Sequence, residues 1–111
     1  MKAILAMAAV LVVTSGSPSA FAKGNAESGK AKAAQVCAAC HGPDGNKPTG
    51  PDFPILGGQP VDYLRQALAD YKSGKRNNPI MKGFAATLSS KEMDDLAAWF
   101  ASQSSSLVTH R

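Results

Sequence analysis

The sequence predicts a small all-α domain, and three observations carry that reading. Three segments place apolar or small residues at helical spacing, Gly- and Pro-dense loops separate them, and no convincing strand interrupts the pattern. No segment repeats another.

A leader comes first. Lys2 gives a positive start, Ala3 to Val13 is an unbroken apolar run, and a small, polar stretch ends in Ala20-Phe21-Ala22. These are the three parts of a cleavable secretory signal over residues 1–22. The apolar run is about half the ~20 residues that a bilayer-spanning helix needs. A retained anchor is the alternative, and no cysteine follows the run closely enough for a lipoprotein. Cleavage before Lys23 would deliver the rest to the periplasm. That leaves one domain over residues 23–103 and a Ser-rich tail over 104–111, expected to be disordered.

The first helix is expected over Ala26 to Val36, rich in Ala, Lys, Glu and Gln. Gly29, Ala33 and Cys37 fall at i, i+4 and i+8, so small residues share one face. Glycine inside a helix costs about 1 kcal/mol against alanine, so a second helix packed close at Gly29 would explain its place. Cys37-Ala38-Ala39-Cys40-His41 follows, containing both cysteines of the chain. Two thiols two residues apart with a histidine directly after are what covalent attachment of one haem c requires. Each sulfur can add to one vinyl group, and His41 then ligates the iron from below.

Other uses of these residues fit less well. A thioredoxin-like pair needs a strand–helix unit, a zinc site needs four ligands, and a plain disulfide leaves the histidine unexplained.

After His41 come Gly42, Pro43, Gly45, Pro48, Gly50, Pro51 and Pro54, a density of breakers that makes a long, stiff loop. Loops of that length are usually functional, and wrapping a haem edge is such a use. Pro60 opens a second helix near its first position, with Val61, Leu64, Leu68 and Tyr71 on one face and Gly74 at its end. Asn77 to Gly83 reads as a further loop, stiffened by Pro79 and turned by Gly83. Ser89 and Glu92 form a capping box for the last helix, with Leu88 and Met93 as its hydrophobic staple.

The sixth position on the iron has three candidates: Met81, Met93 and His110. Met93 is better used in its staple, and His110 stands in the tail. Met81, in a positioned loop, is the favoured ligand, its alternative being a buried gap-filler. Together with His41 it would close the iron to substrate. No distal acid–base constellation is evident, so the chain is read as an electron carrier and not an enzyme. Two rivals stay open: a gas-binding or peroxidase-like protein with an open iron, and a fixed haem relay in a larger complex.

Twelve Lys and Arg against eight Asp and Glu give a formal net charge of +4. That excess is too small and scattered for a nucleic-acid surface. Lys47, Lys72, Lys75, Arg76 and Lys82 flank the haem motif or the ligand segment and could steer an acidic partner, or simply solvate a face.

The chain resembles a single-haem class I cytochrome c, and is most similar to either half of the bacterial dihaem cytochromes of that class. The resemblance spans Gly24 to Gln103. It rests on Cys37-Ala38-Ala39-Cys40-His41-Gly42, Pro54-Ile55-Leu56-Gly57-Gly58-Gln59, Tyr63-Leu64, Tyr71 to Arg76, Met81, Leu88-Ser89 and Leu96 to Ser102. It implies three to five helices wrapped around haem, with the first and last crossing and Trp99 packed near Gly29. It further implies that the Pro54 carbonyl accepts from the outer nitrogen of His41. Gln59, Tyr63, Tyr71 and Arg76 become candidate haem or propionate contacts. Partners would be redox proteins of the periplasm: a membrane oxidoreductase or oxidase, or a soluble reductase or dehydrogenase. The carrier would be a monomer, touching membranes only through such partners.

Overall fold

The computed structural model describes residues 3, 4, 6, 8–13 and 24–106. The expected cleavage site and His110 lie outside the described residues. Five helices and no strand occur among those described: α1 (Ala26–Val36), α2 (Ala38–His41), α3 (Val61–Ser73), α4 (Pro79–Ala86) and α5 (Ser90–Ala101). None is long and apolar enough to cross a membrane.

Helices α1 and α5 cross at their small residues. A Cβ on Gly29 would lie 2.0 Å from the Asp95 carbonyl oxygen and 2.9 Å from Trp99 Cβ. Only a residue without a side chain permits this approach, so the glycine that weakens α1 locally is what lets α5 dock. Polar groups fix the same crossing. The Asn25 side chain caps α1 by accepting from Ser28 N–H at 2.9 Å, while the Asn25 backbone N–H donates to buried Asp95 at 2.8 Å. Asp95 also accepts from Lys91, and Lys32 pairs with Glu92 at 2.8 Å.

The core lies where α1, α3 and α5 meet, built from Ala33, Leu64, Leu88, Met93, Leu96, Ala97 and Phe100. Leu88 and Met93 are both buried beside the Ser89–Glu92 capping box, the arrangement expected of a staple. Met93 sulfur accepts from Arg65 at 3.8 Å. Pro60 stands at the N-cap of α3, one place before the helix proper, and Gly74 closes its C-terminus.

Two differences from the sequence reading concern the site. The segment Asn77 to Gly83, expected as a loop, begins helix α4. Asn78 is its N-cap, accepting from Ile80 and Met81 N–H at 3.1 Å each, and Pro79 occupies the first turn, where its missing N–H costs nothing. Gly83 lies inside this helix, and a Cβ there would meet nothing within 4 Å. Residues Ser104 and Ser106, expected in a disordered tail, are tied to the loop that follows α2 instead. Asn46 donates to the Ser104 carbonyl at 2.7 Å and accepts from Ser106 N–H at 3.1 Å.

The carboxylates of the crossing give a pH prediction. Glu92 is pulled from 4.5 down to about 2, first by Lys32 and then by the Ser89 N–H. Asp95 is lowered by the Asn25 N–H and then by Lys91. Carboxylates with depressed values stabilise the fold above their unfolded values and lose that contribution as the folded form protonates. Stability, read as the urea midpoint, is therefore expected to fall as pH drops from about 4.5 towards 2. Glu92→Gln should flatten part of that slope; an unchanged slope would remove Glu92 from the account.

Candidate functional site

The site is assembled from α2 outward. Cys37 ends α1, its N–H bonded to the Ala33 carbonyl at 2.9 Å, and the single turn of α2 then carries Cys40 and His41. Gly42 follows at φ +86°, a conformation that turns the chain off α2 into the long loop. That loop is tied back to α2: Thr49 N–H donates to the Cys40 carbonyl at 3.0 Å and its hydroxyl to the Ala39 carbonyl at 3.1 Å. It then brings the Pro54 carbonyl to 2.9 Å from His41 Nδ1. A carbonyl can only accept, so Nδ1 is the donor, and the imidazole tautomer with its proton there carries its lone pair on Nε2. His41 is buried, and its free nitrogen is the one suited to bind iron.

His41, Cys37 and Met81 line an open cavity of about 670 Å³. Its walls are mainly apolar, from Leu56, Leu64, Leu68, Leu96 and Phe100. Pro54, Gln59, Tyr63, Tyr71 and Arg76 line it too. Cys40 faces a second cavity of about 550 Å³, which shares His41, Pro54, Tyr71 and Met81 with the first. The two sulfurs thus stand at adjoining cavities with histidine and methionine common to both. Neither Met93 nor any residue of the staple lines either one.

Burial pushes the Cys37 thiol up to about 11, against the pull of Lys32. Both cysteines are free thiols. Arg76 is the one permanent charge among the residues lining the larger cavity. Its guanidinium donates to the Tyr63 hydroxyl at 3.2 Å and lies 4.8 Å over the Tyr71 ring. The Tyr63 bond raises its already high pKa further. An apolar chamber with one fixed cation, an imidazole, a thioether and the Cys37 thiol, with the Cys40 thiol at the adjoining cavity, fits a flat, mostly apolar macrocycle bearing carboxylates. Gln59 uses its amide on the Ile55 carbonyl at 3.2 Å.

The basic residues divide. Lys72 donates to the Leu88 carbonyl and Arg76 to Tyr63, so both are engaged within the fold. Lys75 and Lys82 form no ion pair among the described residues, and Lys82 Nζ stands near Gly74. Beside them, Ile80 and Phe84 of α4 are 58 % and 41 % exposed and line the second cavity. Sequence reasoning missed these two and also Phe53, whose ring packs against His41. Once α4 is seen as a helix, the i, i+4 spacing of Ile80 and Phe84 is the signal that would have found them.

A family model described as cytochrome c oxidase, cbb3-type, subunit III matches residues 24–100. Cytochrome c4 of Pseudomonas aeruginosa is 50 % identical over 88 residues, covering 79 % of this chain and 43 % of that protein. A thiosulfate dehydrogenase electron acceptor of Stutzerimonas stutzeri is 46 % identical over 72 residues, covering 65 % and 33 %. The crystal structure of reduced recombinant cytochrome c4 from Pseudomonas stutzeri superposes with a TM-score of 0.67 at 42 % identity, covering 73 % of this chain and 46 % of that one. The chain spans less than half the length of these relatives.

Proposed function

The chain belongs to the class I c-type cytochromes, matching one half of the dihaem cytochromes c4, and we propose that it is a periplasmic one-electron carrier with a His41/Met81-ligated haem c. Cys37 and Cys40 would hold the macrocycle by thioethers. The observation that carries the reading is the convergence of Cys37, His41 and Met81 on one apolar cavity. When bound, the haem supplies an iron that exchanges single electrons between its ferric and ferrous forms.

The chain's own residues set the terms of that exchange. The Pro54 carbonyl keeps the proton on His41 Nδ1, which fixes the tautomer and strengthens Nε2 as a donor. The soft Met81 thioether favours the ferrous state over what a second histidine would give. With His41 and Met81 both holding the iron, no open site would remain for substrate. Leu56, Leu64, Leu68 and Phe100 would exclude water from the macrocycle, and Arg76, braced by Tyr63 and Tyr71, would pair with its carboxylates.

Exposed Ile80 and Phe84 with Lys75 and Lys82 supply a docking face for a partner with an acidic rim. The name of the Stutzerimonas stutzeri relative, a thiosulfate dehydrogenase electron acceptor, favours a dehydrogenase as electron donor. At low salt, Lys75→Glu combined with Lys82→Glu is expected to slow oxidation by ferricyanide about tenfold, with the gap closing as salt rises. Equal rates at all salt concentrations would remove these lysines from steering.

Visible spectra of the exported protein test the function. A c-type reduced spectrum, a weak far-red sulfur–iron band when oxidised and no response to carbon monoxide are expected. Ready carbon monoxide binding without that band would replace the carrier reading by gas binding or catalysis.

A further inference from the structure

The His41 imidazole is bounded by more than its hydrogen bond. The Pro54 carbonyl fixes the position of Nδ1, but carbonyl oxygens accept over a broad range of directions, so that bond alone leaves the ring free to turn. The Phe53 ring restricts this. It meets the imidazole with ring centroids 6.1 Å apart and planes inclined at 60°, an edge-type contact.

Phe53 is itself held in place. Its N–H donates to the Gly50 carbonyl at 3.2 Å, and a Cβ on Gly50 would come within 3.3 Å of its Cε2. The phenyl ring therefore touches both the bare backbone of Gly50 and the imidazole. The two Thr49 bonds to α2 anchor the start of this segment, so hydrogen bond and aromatic wall are carried by one short stretch fastened to the ligand's own helix.

We propose that Phe53 is a positioning residue for the iron, setting the plane in which the His41 imidazole stands. The inference rests on His41 being an iron ligand, as proposed above. The imidazole π system overlaps the iron orbitals of matching symmetry, so the ring plane controls the asymmetry of the low-spin ferric ion. Electron paramagnetic resonance reads that asymmetry directly, as the spread of the g values.

The experiment uses ferric holoprotein. Phe53→Leu is expected to shift the largest g value while keeping both thioethers and the far-red band, and Phe53→Tyr to restore the wild-type signal. Gly50→Ala is a second probe outside the cavity lining. Its backbone accepts alanine, and the added methyl must displace the Phe53 ring by a few tenths of an ångström. It should shift the g values in the wild-type background and not in the Phe53→Leu background. Phe53→Leu with wild-type g values overturns the proposal, as does a Gly50→Ala shift that persists without the phenyl ring. Where Phe53→Leu fails to take up haem, Gly50→Ala alone decides, and wild-type g values there count against Phe53. A wild-type protein without an imidazole-ligated low-spin signal overturns the ligand reading along with this one.

Discussion

Replacing Met81 by alanine is expected to lower the reduction potential by on the order of 0.1 V or more and to open the iron to carbon monoxide. The thioether is the soft ligand that favours ferrous iron, and alanine provides nothing in its place. The fold should survive the change. Met81 stands in the first turn of α4, where its N–H is held by the Asn78 side chain and alanine is the best helix former. Loss of the far-red band with an almost unchanged urea midpoint is the signature of a ligand removed from an intact domain. Met93→Ala is the matched control. That side chain is buried in the core with its sulfur on Arg65, so its removal should cost about 2–5 kcal/mol and leave the band in place. Retention of the wild-type potential and band in Met81→Ala would withdraw Met81 as ligand.

The second large effect is structural. Gly29→Val is expected to destabilise the protein by about 3 kcal/mol, because the obstacle its Cβ meets is the backbone of Asp95 rather than a side chain that can swing away. The helices must separate, which also strains the Asn25–Asp95 and Lys32–Glu92 links. Gly83 supplies the contrast. It too lies inside a helix, but its added methyl would face open space, so Gly83→Ala should stabilise by up to about 1 kcal/mol. Urea unfolding of the two variants reads both. A mild Gly29→Val would mean that α1 and α5 can slide apart at little cost.

Much of the fold was legible because it is local. Helices α1, α3 and α5 carry full periodic faces, and α5 also announces its start through Ser89 and Glu92. Helix α4 is hidden in the sequence because Pro79 and Gly83 look like breakers; Asn78-Pro79 is a start signal when read as cap and first residue. Helix α2, one turn long, has no periodicity to read. In the site, Cys37, Cys40 and His41 are legible from their spacing alone. Phe53 is not, since its contact with His41 depends on how the intervening loop folds back onto α2. Lys72 and Lys75 look alike in sequence, and only the position of the Leu88 carbonyl separates a structural lysine from a free one.

The crossing of α1 with α5 joins residues 70 apart, as between Asn25 and Asp95. Such distant pairing sets an order of events on a chain that emerges amino end first. The CxxCH segment is synthesised well before α5 is, and until α5 arrives the pocket lacks Leu96, Ala97 and Phe100. Until then the apolar wall of the cavity that Cys37 and His41 line is incomplete. The last helix is therefore the closing piece of the chamber, and the site nearest the amino end of the domain is completed by its carboxyl end.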